Sequence, residues 1–253
     1  MTEANRTNER DHRLQRLFVE QSFRPGEPVT LDKAQSHYLS HVLRLGADAP
    51  LMVFNGMDGE WLAHIETAAK SGVVLSLDRQ TRPQTFGADL HYLFAPLKHA
   101  RLDYMVQKAT EMGASRLVPV LTQRTQASRV NLDRMRANAI EAAEQCGLVG
   151  VPEIAAEEKL ARSLERLEPE RALIFCDEDA PQVSPLAALA SAGPGPLAVL
   201  VGPEGGFTHD ERRAILALPR VVRLSLGPRI MRADTAAVAV LALVQATLGD
   251  WPR

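Results

Sequence analysis

Two glycine-bearing stretches, Leu200-Val201-Gly202-Pro203-Glu204-Gly205-Gly206-Phe207 and Leu224-Ser225-Leu226-Gly227-Pro228-Arg229-Ile230-Met231-Arg232, carry the residues best placed for chemistry. Each follows an apolar, β-branched run and precedes a helical pattern. Glycine at such a junction lets a ligand approach the backbone and leaves amides exposed as donors, so both read as ligand-binding loops. Just past the second, Arg232 and Asp234 set a cation and a carboxylate two positions apart. A dinucleotide fingerprint does not fit: the first loop lacks G-x-G-x-x-G spacing, Pro203 removes an amide, and the loop comes late in the chain. No G-x-x-x-x-G-K-[ST] occurs, so NTP hydrolysis is not expected.

The elements that must hold these loops follow from periodicity. Leu197 to Val201 and Val221 to Leu226 read as buried strands. Thr208-x-x-Glu211 is a capping box for a helix from Asp210 to Leu218. Asp234 or Thr235 is the expected N-cap of an apolar helix from Ala236 to Leu248. Upstream, strands at Leu90 to Pro96, Arg116 to Leu121 and Ala172 to Cys176 alternate with helices at Ala100 to Gly113 and Leu132 to Cys146. That rhythm implies a parallel sheet covered on both faces. Before residue 83 the pattern is different. Short strands at Arg16 to Glu20, Leu51 to Asn55, Trp61 to Thr67 and Val73 to Leu77 surround one helix, Asp32 to Leu43, with a tight hairpin at Asn55-Gly56 and Asp58-Gly59. This predicts a small β-barrel or barrel-like sheet over 1–82 and an α/β domain over 83–253, with Asp78 to Ala88 as connector.

Composition narrows the function. At 253 residues and net charge −2, without a long apolar run and with a polar start, the chain is expected to be cytoplasmic, without a membrane span. Cys146 and Cys176 make no C-x-x-C pair, and no metal is expected. His37 and His41 share a helix face but lack a third ligand. The run Asp177-Glu178-Asp179 reads as a solvated strand end rather than a metal site. Bases predominate from Phe94 to Arg136 and acids from Ala137 to Leu189, and the basic zone could follow a phosphate backbone.

Several motifs occur in order: Lys98, Arg101, Leu102, Asp103, Tyr104, Val106, Gln107, Lys108, Ala109, Thr110, Glu111, Met112, Gly113; then Ala142-Ala143-Glu144-Gln145; then Gly202 to Phe207; then Leu226-Gly227-x-Arg229-Ile230-x-Arg232-x-Asp234-Thr235-Ala236. With them, the chain resembles the RsmE family, 16S rRNA methyltransferases that use S-adenosylmethionine to methylate N3 of a uridine. The resemblance implies a PUA-like N-terminal barrel for RNA and a C-terminal SPOUT-type α/β domain with a trefoil knot. It also implies a homodimer, acting on 16S rRNA or on the assembled small subunit and not on DNA. This chain departs from the family with Asp234 for the usual Glu, with Cys146-Gly147-Leu148 where Ser, a spacer and Arg are common, and with Gln123 for Glu before Arg124.

Uridine N3 must lose a proton to become a good nucleophile, at a cost of about 3 kcal/mol near neutrality. A cation beside the base would lower that cost. On this reading Arg232 is the expected catalytic cation, oriented by Asp234, with Arg13 and Arg16 as alternatives. The cofactor is expected against Cys176, Leu200, Gly202, Glu204, Gly205, Leu224, Leu226, Gly227, Ile230 and Met231. RNA is expected on Arg13, Arg16, Arg44, Lys98, Arg101, Lys108 and Arg124. Two competing readings are a ribose 2′-O methyltransferase of the same knotted class, which would want a Ser-x-Asn near the second loop, and a non-catalytic RNA-binding assembly factor. A nicotinamide-dependent enzyme ranks last.

Overall fold

The structure is a computed structural model that describes residues 14–69, 72–98, 100–126, 129–181 and 183–251. Arg13 lies outside the described residues. Two compact units make up the chain: Met1–Phe86 with Ala143–Gly150, and Gly87–Ala142 with Val151–Arg253.

The first unit holds β1 (Arg16–Phe18), β2 (Val29–Thr30), α1 (Lys33–His37), β3 (Pro50–Phe54), β4 (Glu60–Ala69) and β5 (Gly72–Arg82). These strands form a five-stranded sheet ordered β1-β3-β4-β5-β2, with β1 parallel to β3 and the other neighbours antiparallel. Alternate residues Leu51, Val53, Ala63, Ile65, Val73 and Leu75 point into one core with Leu39. Asp32 caps α1 in a capping box with Gln35. The helix expected to run to Leu43 instead widens into a single π-helical stretch at Tyr38–Val42. The expected connector is also shorter than its composition suggests. Residues 78–82 belong to β5, where Thr81 and Arg82 both hydrogen-bond Glu60 on the neighbouring strand. Asn55 builds the β3–β4 turn by accepting the amides of Met57 and Asp58 at 2.9 and 2.7 Å.

Glu60 is the polar centre of this unit. Its side chain is 5% exposed and takes Arg16 and Arg82 at 2.9 and 2.7 Å. Arg16 donates further to the carbonyls of Ala143, Glu144 and Leu148, and Arg82 to that of Gly147. Two arginines thus bond carbonyls of the last turn of α3 and of the residues just after it, which explains why 143–150 belongs with the N-terminal sheet.

The second unit contains β6 (Leu90–Phe94), α2 (Ala100–Glu111), β7 (Arg116–Leu121), α3 (Leu132–Cys146, its last turn in the first unit), β8 (Glu153–Ile154), β9 (Glu158–Lys159), α4 (Leu160–Glu165), β10 (Ala172–Cys176), α5 (Pro185–Ala190), β11 (Leu197–Val201), α6 (His209–Leu216), β12 (Val221–Leu224) and α7 (Ala233–Thr247). The sheet is parallel throughout, ordered β12-β10-β11-β6-β7-β8, with β9 also on β7. Tyr92, Ile174, Val199 and Val201 pack on one face with α2, α3, α5 and α7. Leu93, Leu173, Phe175 and Leu200 pack on the other with α4 and α6. The expected two-sided burial is therefore present. Full burial of each such side chain contributes about 1.5–3 kcal/mol. Chain order fixes where a ligand can sit. From β6 the chain moves outward through β7 and β8 on one side, then builds β10, β11 and β12 on the other, with β11 inserted between β10 and β6. The carboxyl ends beside such a reversal are where parallel sheets leave a crevice.

Candidate functional site

A cavity of about 280 Å³ opens at the carboxyl ends of β10, β11 and β12 and is bounded by the first turn of α7. All three strand-end loops contribute to it. In the first glycine loop, a Cβ on Gly202 would lie 2.4 Å from Phe207 Cε2, so the ring occupies the space a side chain would need. Phe207 in turn meets Phe175 edge-on, with ring centroids 5.3 Å apart. Gly206 has φ +68°, and Gly227 in the second loop has φ +106°, both in the region glycine adopts without strain. Thr208 and Glu211 form the expected capping box, so α6 starts directly behind the loop.

Acidic groups dominate the third wall. Asp177 is buried and accepts Arg212 Nη2 at 2.9 Å, Arg223 Nε at 2.7 Å and the amide of Asp179 at 3.1 Å. Burial alone would raise its carboxyl pKa, but hydrogen bonds from Arg212 and Arg223 more than offset that and hold it below the ordinary value. The expectation of a solvated strand end is therefore corrected for Asp177, whereas Glu178 and Asp179 are exposed on the rim. Burial pushes the Cys176 thiol up to about 12, so Cys176 is a neutral wall and not a thiolate nucleophile. Apolar surface comes from Leu226, Met231 and Ala236.

Most of the residues expected at the cofactor line this cavity: Cys176, Gly202, Glu204, Leu224, Leu226, Gly227, Ile230 and Met231. Leu200 does not. Strand alternation turns its side chain into the opposite core. Gly205 lines a separate small cleft with Lys98, Arg101 and Arg124. Arg232 occupies the N-cap position of α7, exposed, and its guanidinium has no partner among the described residues. The expected N-cap, Asp234 or Thr235, is thus placed two or three residues too late. Asp234 does not orient Arg232 either. Its carboxylate receives Arg101 Nε at 2.9 Å and Nη2 at 3.1 Å, while Arg101 Nη1 donates to Glu204. Hydrogen bonding by Arg101 is also the main reason the Asp234 carboxyl lies below its ordinary pKa.

The residues expected to meet RNA divide by what they already hold. Arg44, at φ +56°, and Lys98 are exposed. Arg124 is exposed and donates from Nη1 to the Gly205 carbonyl at 2.6 Å. Lys108 pairs with Glu111 and lies over the Tyr104 ring. Arg16 and Arg101 are committed to carboxylates, so neither carries an unpaired charge for a phosphate. His37 and His41 stack with ring centroids 4.7 Å apart. Among the described residues, no group of three or more His, Cys, Asp or Glu is arranged to hold a metal ion. Arg212 and Arg223 are further residues of the site that the sequence reading does not single out. Nothing local in the sequence ties them to Asp177.

The RNA methyltransferase domain family matches residues 84–245, and the RNA methyltransferase PUA domain family matches residues 31–78. Fold and family matches together are those of an RNA methyltransferase with a PUA-like N-terminal sheet. Ribosomal RNA small subunit methyltransferase E of Rickettsia conorii is 31% identical over 83% of this chain and 85% of its own length. The corresponding protein of Synechocystis is 31% identical over 87% of this chain and 73% of its own. A methyltransferase of Legionella pneumophila, solved with the bound cofactor S-adenosylmethionine, superimposes with a TM-score of 0.83 at 26% identity, over 94% of this chain and 99% of that one. The chain belongs to the RsmE family of RNA methyltransferases.

Proposed function

We propose that this protein methylates N3 of a uridine in the 16S rRNA of the small ribosomal subunit, with S-adenosylmethionine as methyl donor. The observation that carries the reading is the cavity itself. Two glycine loops and an acidic strand end converge at the carboxyl edge of a parallel sheet, in a chain whose 31% identical relatives are small-subunit rRNA methyltransferases. The donor fits the residues present. Gly202 and Gly227 leave room for close approach, Leu226, Met231 and Ala236 offer apolar surface to a purine, and Glu178, Asp179 and Glu204 suit a cationic ligand.

Bound S-adenosylmethionine supplies an electrophilic methyl group on a sulfonium, so the chain's own task is to prepare the nucleophile. Arg232 supplies the cation for the uridine anion. It is exposed beside the second loop, and its charge is not spent on a carboxylate. A guanidinium aimed at the base carbonyls stabilises the anion and brings the N3 proton within reach of neutral pH. Asp234 serves the site through the backbone of α7. Arg44 in the first unit, and Lys98 and Arg124 in the second, are the cations proposed to follow the RNA backbone.

That the C-terminal segment threads an earlier loop as a trefoil knot is a further proposal, resting on membership of the family. The homodimer is also a proposal, and sedimentation velocity tests it. Action on ribosomal RNA in the cytoplasm is likewise a proposal, resting on the rRNA methyltransferase relatives; no helix among the described residues is long and apolar enough to cross a membrane. The deciding experiment is mass mapping of 3-methyluridine in 16S rRNA from cells lacking the gene, then complemented. The modification should vanish and return. Its persistence refutes the reading, and appearance of a missing ribose 2′-O-methyl instead would establish the rival chemistry.

A further inference from the structure

We propose that Arg101 is a positioning residue: it holds the first turn of α7, and with it Arg232, while latching the Gly202–Gly206 loop. The inference rests on the methyltransferase reading above. All three nitrogens of the Arg101 guanidinium are used by acids that sit far away in sequence. Nε and Nη2 grip Asp234 as a fork, and Nη1 reaches Glu204. A planar fork fixes the direction of its carboxylate as well as its distance. The two legs are unequal. The Asp234 side chain is 16% exposed and that of Glu204 is 50% exposed, so the Asp234 leg is less screened by water.

Each leg ends on a part of the site. Asp234 also accepts the amide of Thr235, and the Arg232 carbonyl accepts the amide of Ala236 in the same turn. The backbone of Arg232 is therefore set by the turn that Arg101 clamps, and its side chain has no partner among the described residues to direct it. On the other leg, Pro203 and Glu204 form the wall shared by the main cavity and a cleft of about 80 Å³ that contains Arg101. Arg124 holds the next residue of that loop through its carbonyl. One guanidinium thus links α2, the cofactor loop and the catalytic turn, and its charge is neutralised in doing so.

The alternative is that Arg101 turns to a phosphate when RNA arrives. Arg101→Lys and Arg101→Gln separate the two. Lysine keeps the charge but cannot make the fork. Positioning predicts that both variants lose roughly 10- to 100-fold in kcat, as small misplacements do. RNA affinity and its salt slope should stay as in the wild type. A phosphate contact predicts a near-normal Arg101→Lys and an Arg101→Gln whose salt slope falls by about 0.7–0.9. That pattern overturns the proposal. Arg101→Gln combined with Asp234→Asn should be no slower than the worse single variant, whereas independent multiplication of the two losses would overturn it. Amide hydrogen exchange of 202–206 and 233–236, measured without RNA, should quicken in both Arg101 variants. Unchanged exchange refutes the latch whatever the activity. Wild-type enzyme assayed on the same rRNA tests the methyltransferase reading separately, because its inactivity there leaves the exchange result standing.

Discussion

Asp177→Asn probes the wall on which the proposed cofactor pocket is built. The wild-type side chain is 3% exposed and accepts bonds from two arginines and from the Asp179 amide. Asparagine keeps the size and one acceptor oxygen but loses the charge, and its NH2 group faces guanidinium donors. Charged hydrogen bonds contribute about 1.5–3 kcal/mol each. Breaking a fully buried pair costs about 3–5 kcal/mol. Arg212 and Arg223 are 28% and 32% exposed, so both can turn toward water and recover part of that cost. A loss of about 2–3 kcal/mol is therefore expected, or a fall in Tm of about 4–12 °C for a chain of this size. The sign with pH follows from the lowered carboxyl pKa. A carboxylate whose folded pKa is depressed contributes fully above its unfolded value, and the contribution disappears as pH falls through the folded one. Urea denaturation of both proteins from pH 8 downward should show a constant gap that begins to close only below about pH 4. Calorimetry should also show weaker binding of S-adenosylmethionine. A gap under about 0.5 kcal/mol at pH 7, the size of an ordinary surface substitution, would refute the reasoning. So would a gap that closes near pH 6, because a group other than Asp177 would then be titrating.

Gly202→Ala places a methyl group 2.4 Å from the Phe207 ring, so the ring must leave its contact with Phe175. Overpacking of this kind costs about 1–3 kcal/mol, and S-adenosylmethionine affinity should drop more than tenfold by calorimetry; unchanged affinity would remove this loop from the cofactor site. Arg232→Ala should leave that affinity within a few-fold while abolishing methyl transfer, and equal loss of both would make Arg232 a cofactor ligand. Glu60→Gln leaves Arg16 and Arg82 facing each other without their shared carboxylate. It should destabilise the first unit by about 3–5 kcal/mol, seen as faster hydrogen exchange in β1, β3 and β4, with S-adenosylmethionine binding intact. Unaltered exchange there would mean that the arginines are held by the helix-end carbonyls alone.

The elements legible from the amino-acid order are those specified by neighbours. Arg116–Leu121, Ala172–Cys176 and Leu197–Val201 are apolar runs long enough to be buried on both faces, and their bounds agree with those read from the sequence; Thr208 with Glu211 satisfies its own helix start, although the helix ends at Leu216, two residues before the expected Leu218. The two glycine loops were legible for the same reason, since a strand, a turn and a cap are consecutive. Short elements were not. The helices Leu160–Glu165 and Pro185–Ala190 carry too few turns to show a period, and β8 and β9 owe their existence to pairing with β7. Charged side chains were the least legible, because an ionic partner is chosen by packing. Arg16 reads as a cation free to meet RNA, yet it is committed to Glu60 and to carbonyls more than a hundred residues on. Asp234 stands two residues from Arg232, yet its partner is Arg101, 133 positions earlier. Hydrophobic period and capping act over a few residues and are written in local order. Which carboxylate an arginine neutralises depends on how strands and helices are stacked, and only the folded chain decides that.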